Sequence, residues 1–140
     1  KNPNIKTVYF EGPYNKHTAD AVRALQNNKN METIYLQGPY NNYTADAITS
    51  LEVQPQINSV NFQGPFHREH TFNAVAALKR NKNMESIYFQ GPYNEYMTNA
   101  ISALQTNSYI VSVNFQGPHN SHTINAIIEL QNNQNVKAVF

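Results

Sequence analysis

Five histidines are the side chains here that could gather a metal: His67-x-x-His70, His119-x-x-His122 and His17. Zinc needs three or four ligands converging at bonds of about 2 Å. The two pairs sit in the third and fifth copies of an internal repeat. Two strand spacings separate those copies by ~10 Å, so the pairs cannot share one ion. There is no cysteine, hence no thiolate ligand, thiol nucleophile or disulfide framework. Serines and threonines are numerous, but no strained Gly-x-Ser-x-Gly turn or carboxylate pair accompanies them. The recurring Gly-Pro step is no phosphate loop, because proline removes a backbone donor that such a loop needs. The expectation is no catalytic residue, no metal and no cofactor.

Contact chemistry remains, and the repeat organises it. Glu11-Gly12-Pro13-Tyr14-Asn15 recurs as Gln37-Gly38-Pro39-Tyr40-Asn41, Gln63-Gly64-Pro65-Phe66-His67, Gln90-Gly91-Pro92-Tyr93-Asn94 and Gln116-Gly117-Pro118-His119-Asn120, at intervals of 26, 26, 27 and 26 residues. A fixed period in this range is the signature of stacked repeats. Before each Gly-Pro lies an alternating segment. An apolar residue opens it (Ile5, Met31, Ile57, Met84, Ile110, Val136). A β-branched one follows (Val8, Ile34, Val60, Ile87, Val113, Val139), then a large apolar one (Phe10, Leu36, Phe62, Phe89, Phe115). That alternation predicts a five-residue strand with one buried face, ended by Gly-Pro.

After each loop, Ala-β-branched-x-x-Leu repeats from Ala21-Val22-Leu25 to Ala126-Ile127-Leu130. Positions i, i+1 and i+4 share one helical face, predicting a helix of about 10 residues. Thr18, Thr44, Thr71 and Thr123 are its expected N-caps, and Asn28, Asn81, Asn107 and Asn133 its expected left-handed C-caps. Such a helix rises ~15 Å and the strand ~17 Å, so the two match as one coil of a solenoid. Two irregularities stand out. The third unit carries one extra residue within His67 to His70, predicting a bulge. The fourth has Met97 in the threonine position, predicting a weaker helix start.

Strand residues between the core positions face away from the helices. They form three columns: Thr7, Thr33, Ser59, Ser86, Ser112; then Tyr9, Tyr35, Asn61, Tyr88, Asn114; then Glu11, Gln37, Gln63, Gln90, Gln116. The last two columns are the candidate partner-binding residues, since tyrosine offers rigid contact area at low entropic cost. The more uniform Gln and Ser/Thr columns also suit hydrogen-bonded ladders along the sheet. Tyr14, Tyr40, Phe66 and Tyr93 in the loops allow two readings, a cover over the edge of the core or a binding rim. Six strands of this length present only about 400 Å², roughly half of one side of a standard interface, so either the loops join in or the chain is part of a longer array.

The run Leu78-Lys79-Arg80-Asn81-Lys82-Asn83-Met84-Glu85-Ser86-Ile87-Tyr88-Phe89 resembles the leucine-rich repeat of the ribonuclease-inhibitor-like class. There a helix ending Ala-Leu-x-x-Asn leads into Leu-x-x-Leu-x-Leu. The resemblance extends over the whole chain and includes an alternation of two repeat types. It implies an α/β fold: a β-α solenoid shaped as a horseshoe, with a parallel sheet on the concave face and five short helices on the convex one. It also implies a protein partner held on the concave face. The sequence departs by having only six leucines, and by placing Pro13, Pro39, Pro65, Pro92 and Pro118 where the family has a loop-bonding Asn. Asn15, Asn41, Asn94 and Asn120 are the expected substitutes.

Composition sets the outer bounds. The 140 residues suit one domain, read as five repeats plus a terminal strand. Net charge is +1 with no basic run, against a nucleic-acid partner. No apolar run approaches the ~18 residues of a membrane span. The 22 Asn keep register with the repeat, against a disordered tract. Lys1, Asn2 and Pro3 begin where a preceding helix would finish, and Phe140 falls inside a strand. The chain therefore reads as a fragment of a longer array, or as one that self-associates end to end through open strand edges. The functional expectation is a protein-protein interaction module. A structural self-assembly unit is the first alternative, and the recognition segment of a multidomain protein such as a bacterial effector the second. An intracellular, cytoplasmic setting, or a secreted effector in a host cytosol, goes with it.

Overall fold

The computed structural model describes residues 5–140; the expectation placed on Lys1, Asn2 and Pro3 lies outside them. Six strands form one parallel sheet in sequence order: β1 (Thr7–Glu11), β2 (Thr33–Gln37), β3 (Ser59–Gln63), β4 (Ser86–Gln90), β5 (Ser112–Gln116) and β6 (Ala138–Val139). The register follows the repeat: Val8 pairs with Ile34, Ile34 with Val60, Val60 with Ile87, Ile87 with Val113 and Val113 with Val139. A one-residue slip would turn every core side chain outward, so burial pins that register.

Between strands run α1 (Thr18–Arg23), α2 (Asn42–Thr49), α3 (Arg68–Ala76), α4 (Glu95–Ile101) and α5 (Ser121–Leu130). The first four tighten into 3-10 turns of four or five residues before returning to the sheet. Ala47, Ile48, Leu51, Ala74, Val75, Leu78, Ala100, Ile101 and Leu104 are buried from this side. They meet Ile34, Leu36, Val60, Phe62, Ile87, Phe89, Val113 and Phe115 from the strands in one continuous core. Phe62 and Phe89 stack at 5.7 Å between ring centroids, and Phe89 and Phe115 at 5.6 Å.

Helix ends differ from the sequence expectation. The threonines are not the N-caps. Asn41 and Asn120 are, and Thr44 and Thr123 stand at the third helical position, completing reciprocal capping boxes. Asn94 caps α4 the same way, accepting from Tyr96 and Met97 N–H, but Met97 cannot return the bond. In the third unit the extra residue puts His67 at the cap, where it accepts from His70 N–H while Thr71 Oγ1 accepts from His67 N–H. The side-chain N-cap signal of α2, α4 and α5 lay three residues upstream of the expected position, and that of α3 four, inside the Gly-Pro motif; α1 starts after His17 with no side-chain cap.

The caps also couple neighbours. Asn41 Nδ2 donates to Tyr14 O at 2.7 Å, Asn94 Nδ2 to Phe66 O at 3.1 Å and Asn120 Nδ2 to Tyr93 O at 3.1 Å. These asparagines thus bond the adjacent loop backbone.

The C-terminal asparagines are not left-handed either. Asn28, Asn81 and Asn107 are extended, at φ −103, −86 and −102, and no described non-glycine residue has positive φ. Their side chains make the turn instead. Asn81 Oδ1 accepts from Asn83 and Met84 N–H, Asn107 Oδ1 from Tyr109 and Ile110 N–H, and Asn133 Oδ1 from Asn135 and Val136 N–H. A short amide that bonds backbone two and three residues on can turn the chain into the next strand without a left-handed residue.

Candidate functional site

The sheet's solvent-facing side carries the three predicted columns. In the central one Tyr9 is 64% exposed, and its ring stacks on Tyr35 at 4.2 Å with 20° between planes. Tyr35, Tyr88 and Asn114 are half-buried. Asn61 is buried at 1% exposure, hidden between the longer side chains of Tyr35 and Tyr88, and its Oδ1 has no partner. The structure thus presents Tyr9 and Tyr35 together and withdraws Asn61. Partial burial, then the adjoining Tyr9 hydroxyl, raises the Tyr35 phenol above its ordinary pKa.

The flanking columns are tied along the sheet. Hydroxyls of Thr33 and Ser59 bond at 2.7 Å, and those of Ser86 and Ser112 at 2.8 Å. Gln63 Nε2 donates to Gln90 Oε1. Glu11 and Gln37 are exposed, while Gln63, Gln90 and Gln116 are half-buried. The Gln63–Gln90 bond makes the middle of that column a ladder, and its exposed end, at Glu11 and Gln37, adjoins the Tyr9–Tyr35 stack.

The loop aromatics form a second core layer, which settles the two readings of them. Tyr14, Tyr40, Phe66 and Tyr93 are at most 5% exposed, and their rings succeed one another at 6.2 to 6.4 Å. Each hydroxyl reaches two strand-end carbonyls: Tyr14 those of Phe10 and Gln37, Tyr40 those of Leu36 and Gln63, Tyr93 those of Phe89 and Gln116. Sequence reasoning could have found this layer, since three of its four members carry a hydroxyl at one register position.

Burial has a titration consequence. Desolvation raises the Tyr40 phenol well above its ordinary 10.0, and the Tyr93 phenol to about 12, against the lowering effect of their carbonyl bonds. Unfolded tyrosines ionise from pH 10.0 upward, while the folded ones hold their protons further. Stability is therefore fully present below pH ~10 and is lost as pH rises through the folded values. Urea midpoints are expected to be flat up to about pH 9 and to drop steeply above 10. Tyr40→Phe should make that drop shallower.

His67 and His70 rings lie 4.4 Å apart, but His67 Nδ1 is used by the helix cap. His119 instead continues the tyrosine layer, stacked on Tyr93 at 6.3 Å. Among the described residues no three His, Asp or Glu side chains gather as a metal cluster, and no helix is long and apolar enough to cross a membrane.

No family model matches the sequence, and no curated protein matches it. Among solved structures, the chain is similar to Leiomodin-1 Actin-Binding Site 2, with a TM-score of 0.57 and 12% sequence identity, over 94% of this chain and 82% of that one. Six in-register parallel strands, one helix per unit on the far side and that structural likeness together give this chain the fold of a leucine-rich-repeat domain.

Proposed function

We propose that the chain is a protein-binding module of the ribonuclease-inhibitor-like kind, taking its partner on the sheet face and adjoining loops with no chemistry of its own. The observation that carries this is the Tyr9–Tyr35 stack. An exposed tyrosine held flat by a second ring is a pre-ordered anchor, the sort of residue that dominates interface energies. Glu11 and Gln37 flank it with polar groups, and Gln63, Tyr88, Gln90, Asn114 and Gln116 extend the same face. Asn61 contributes through its neighbours. The similar solved structure is described as actin-binding, which supports protein recognition by this fold. We place the module inside a cell, either resident or as part of a delivered effector.

A second reading, packing of copies end to end, draws on α5. Its Ile124 and Ile128 are 58% and 54% exposed, and Val139 of β6 and the following Phe140 are exposed as well. One experiment separates the two. Tyr9→Ala/Tyr35→Ala and wild type are compared by crosslinking to cellular protein and by sedimentation velocity, with circular dichroism as the folding control. Loss of a specific crosslinked partner, tenfold or more in yield, with unchanged sedimentation supports the binding module. Retention of every partner overturns it, and concentration-dependent sedimentation of both proteins favours assembly.

A further inference from the structure

Neighbouring Gly-Pro loops are held together by two clasps, and each of the last two joints lacks one of them. Gln37 O accepts from Gly12 N–H and from Tyr14 Oη, and Gln63 O accepts from Gly38 N–H and Tyr40 Oη. At the third joint Gly64 N–H still reaches Gln90 O, though Phe66 brings no hydroxyl. At the fourth, Tyr93 Oη reaches Gln116 O, but Gly91 N–H makes no bond to it.

The loops themselves separate there. A Cβ placed on Gly12, Gly38 or Gly64 would meet the following loop's proline carbonyl oxygen at 2.2, 2.4 and 2.8 Å, with that proline's N and Cδ just behind. A Cβ on Gly91 would meet only its own Tyr93, at 3.3 Å. Pro118 has drawn away. A cleft of about 510 Å³ opens in its place, lined by Gln90, Gly91, Pro92, Tyr93, Pro118 and His119, among others. Its size is that of a ligand pocket, its walls are flat rings, and Gly91 N–H is its unused donor.

We propose that this cleft binds a prolyl segment of an extended polypeptide. The identity follows from the other three joints, where the group that covers the glycine is a proline with its N, Cδ and carbonyl oxygen. A prolyl amide entering the fourth joint would restore that cover, pack its ring among Pro92, Tyr93, Pro118 and His119, and offer a carbonyl to Gly91 N–H. The inference rests on the protein-binding reading only for the source of the peptide.

The chain has five glycines, each preceding a proline, so an amide ¹H–¹⁵N spectrum reports all five loops and the four joints between them. The full chain is titrated with N-acetyl-L-prolinamide, and separately with N-acetyl-L-alaninamide. A ligand of this size should give a dissociation constant of about 1–10 mM. The expected result is a saturable shift of the Gly91 and Gly117 peaks with prolinamide, weaker by fivefold or more with alaninamide, while Gly12, Gly38 and Gly64 stay still. Gly91→Val, which fills the cleft, should abolish the shift at Gly117 without moving distant peaks. If Gly91→Val unfolds, hydrogen exchange of wild type decides the premise: Gly91 should exchange at least tenfold faster than Gly38, and equal protection overturns it. No response at Gly91, equal responses to both probes, or a shift spread over all five glycines overturns the proposal. No protein partner enters this titration, so its failure would leave the Tyr9 and Tyr35 test standing.

Discussion

Gly38→Ala is expected to destabilise the chain by about 3 kcal/mol, and Gly117→Ala by less than ~0.5 kcal/mol, though both change the same motif position. The difference is steric. The added methyl at residue 38 falls 2.4 Å from Pro65 O and about 3.0 Å from Pro65 N and Cδ. Backbone must move to relieve that. It is held on both sides, because Gly38 N–H donates to Gln63 O and Tyr40 Oη clasps the same carbonyl. At residue 117 the methyl's first neighbour is the exposed His119 ring at 3.8 Å, ordinary contact. No described glycine has positive φ, so left-handed backbone is not the reason for glycine here. Alanine at residue 117 also loses less chain entropy on folding, a compensating gain of up to ~1 kcal/mol. Gly64→Ala should fall between the extremes, as its 2.8 Å contact implies. Urea unfolding of the three variants checks the order. Equal losses at all three positions would mean that the loops are not in contact at the first joints.

The solenoid was legible because period, alternation and helix spacing agreed on one answer, and the strand register follows the repeat to the residue. What was hidden lay between units. A repeat alignment shows that Asn41 recurs, but not that one amide both caps its own helix and bonds the previous loop. It shows Gly-Pro ending each strand, but not that each step is cis, as all five are. The left-handed expectation at Asn28, Asn81 and Asn107 failed because an asparagine side chain can make the same turn from extended backbone. On the candidate face, alternation placed Tyr9, Tyr35, Asn61, Tyr88 and Asn114 in one column correctly. Side-chain length then decided exposure: tyrosines overhang the shorter Asn61, and Tyr9, at the sheet's edge, has a neighbour on one side only. The open fourth joint had one trace in the sequence, His119 in a column otherwise of Tyr and Phe.

Phe62→Ala should cost 3–5 kcal/mol and leave the chain unfolded or nearly so, while Phe10→Ala should cost about half as much. Phe62 is completely buried, stacked on Phe89 and meeting the edge of the Tyr40 ring. Removing it empties the point where the strand layer and the loop-aromatic layer touch, and neither side can collapse inward without breaking register. Total stability for a domain of this size is only 5–15 kcal/mol. Position in the array sharpens the loss. In a stack where each unit contacts its neighbours alone, a fault in the third unit weakens the joints to both the second and the fourth. Two short pieces remain, neither able to bury its own face. Phe10, in the first unit, is only partly buried and faces a neighbour on one side, so its loss leaves four units coupled. Far-ultraviolet circular dichroism with urea titration reads both. A cooperative transition in Phe10→Ala, shifted modestly, beside a lost or non-cooperative one in Phe62→Ala, is the signature of nearest-neighbour coupling. Equal shifts would indicate instead that the core behaves as one undivided globule.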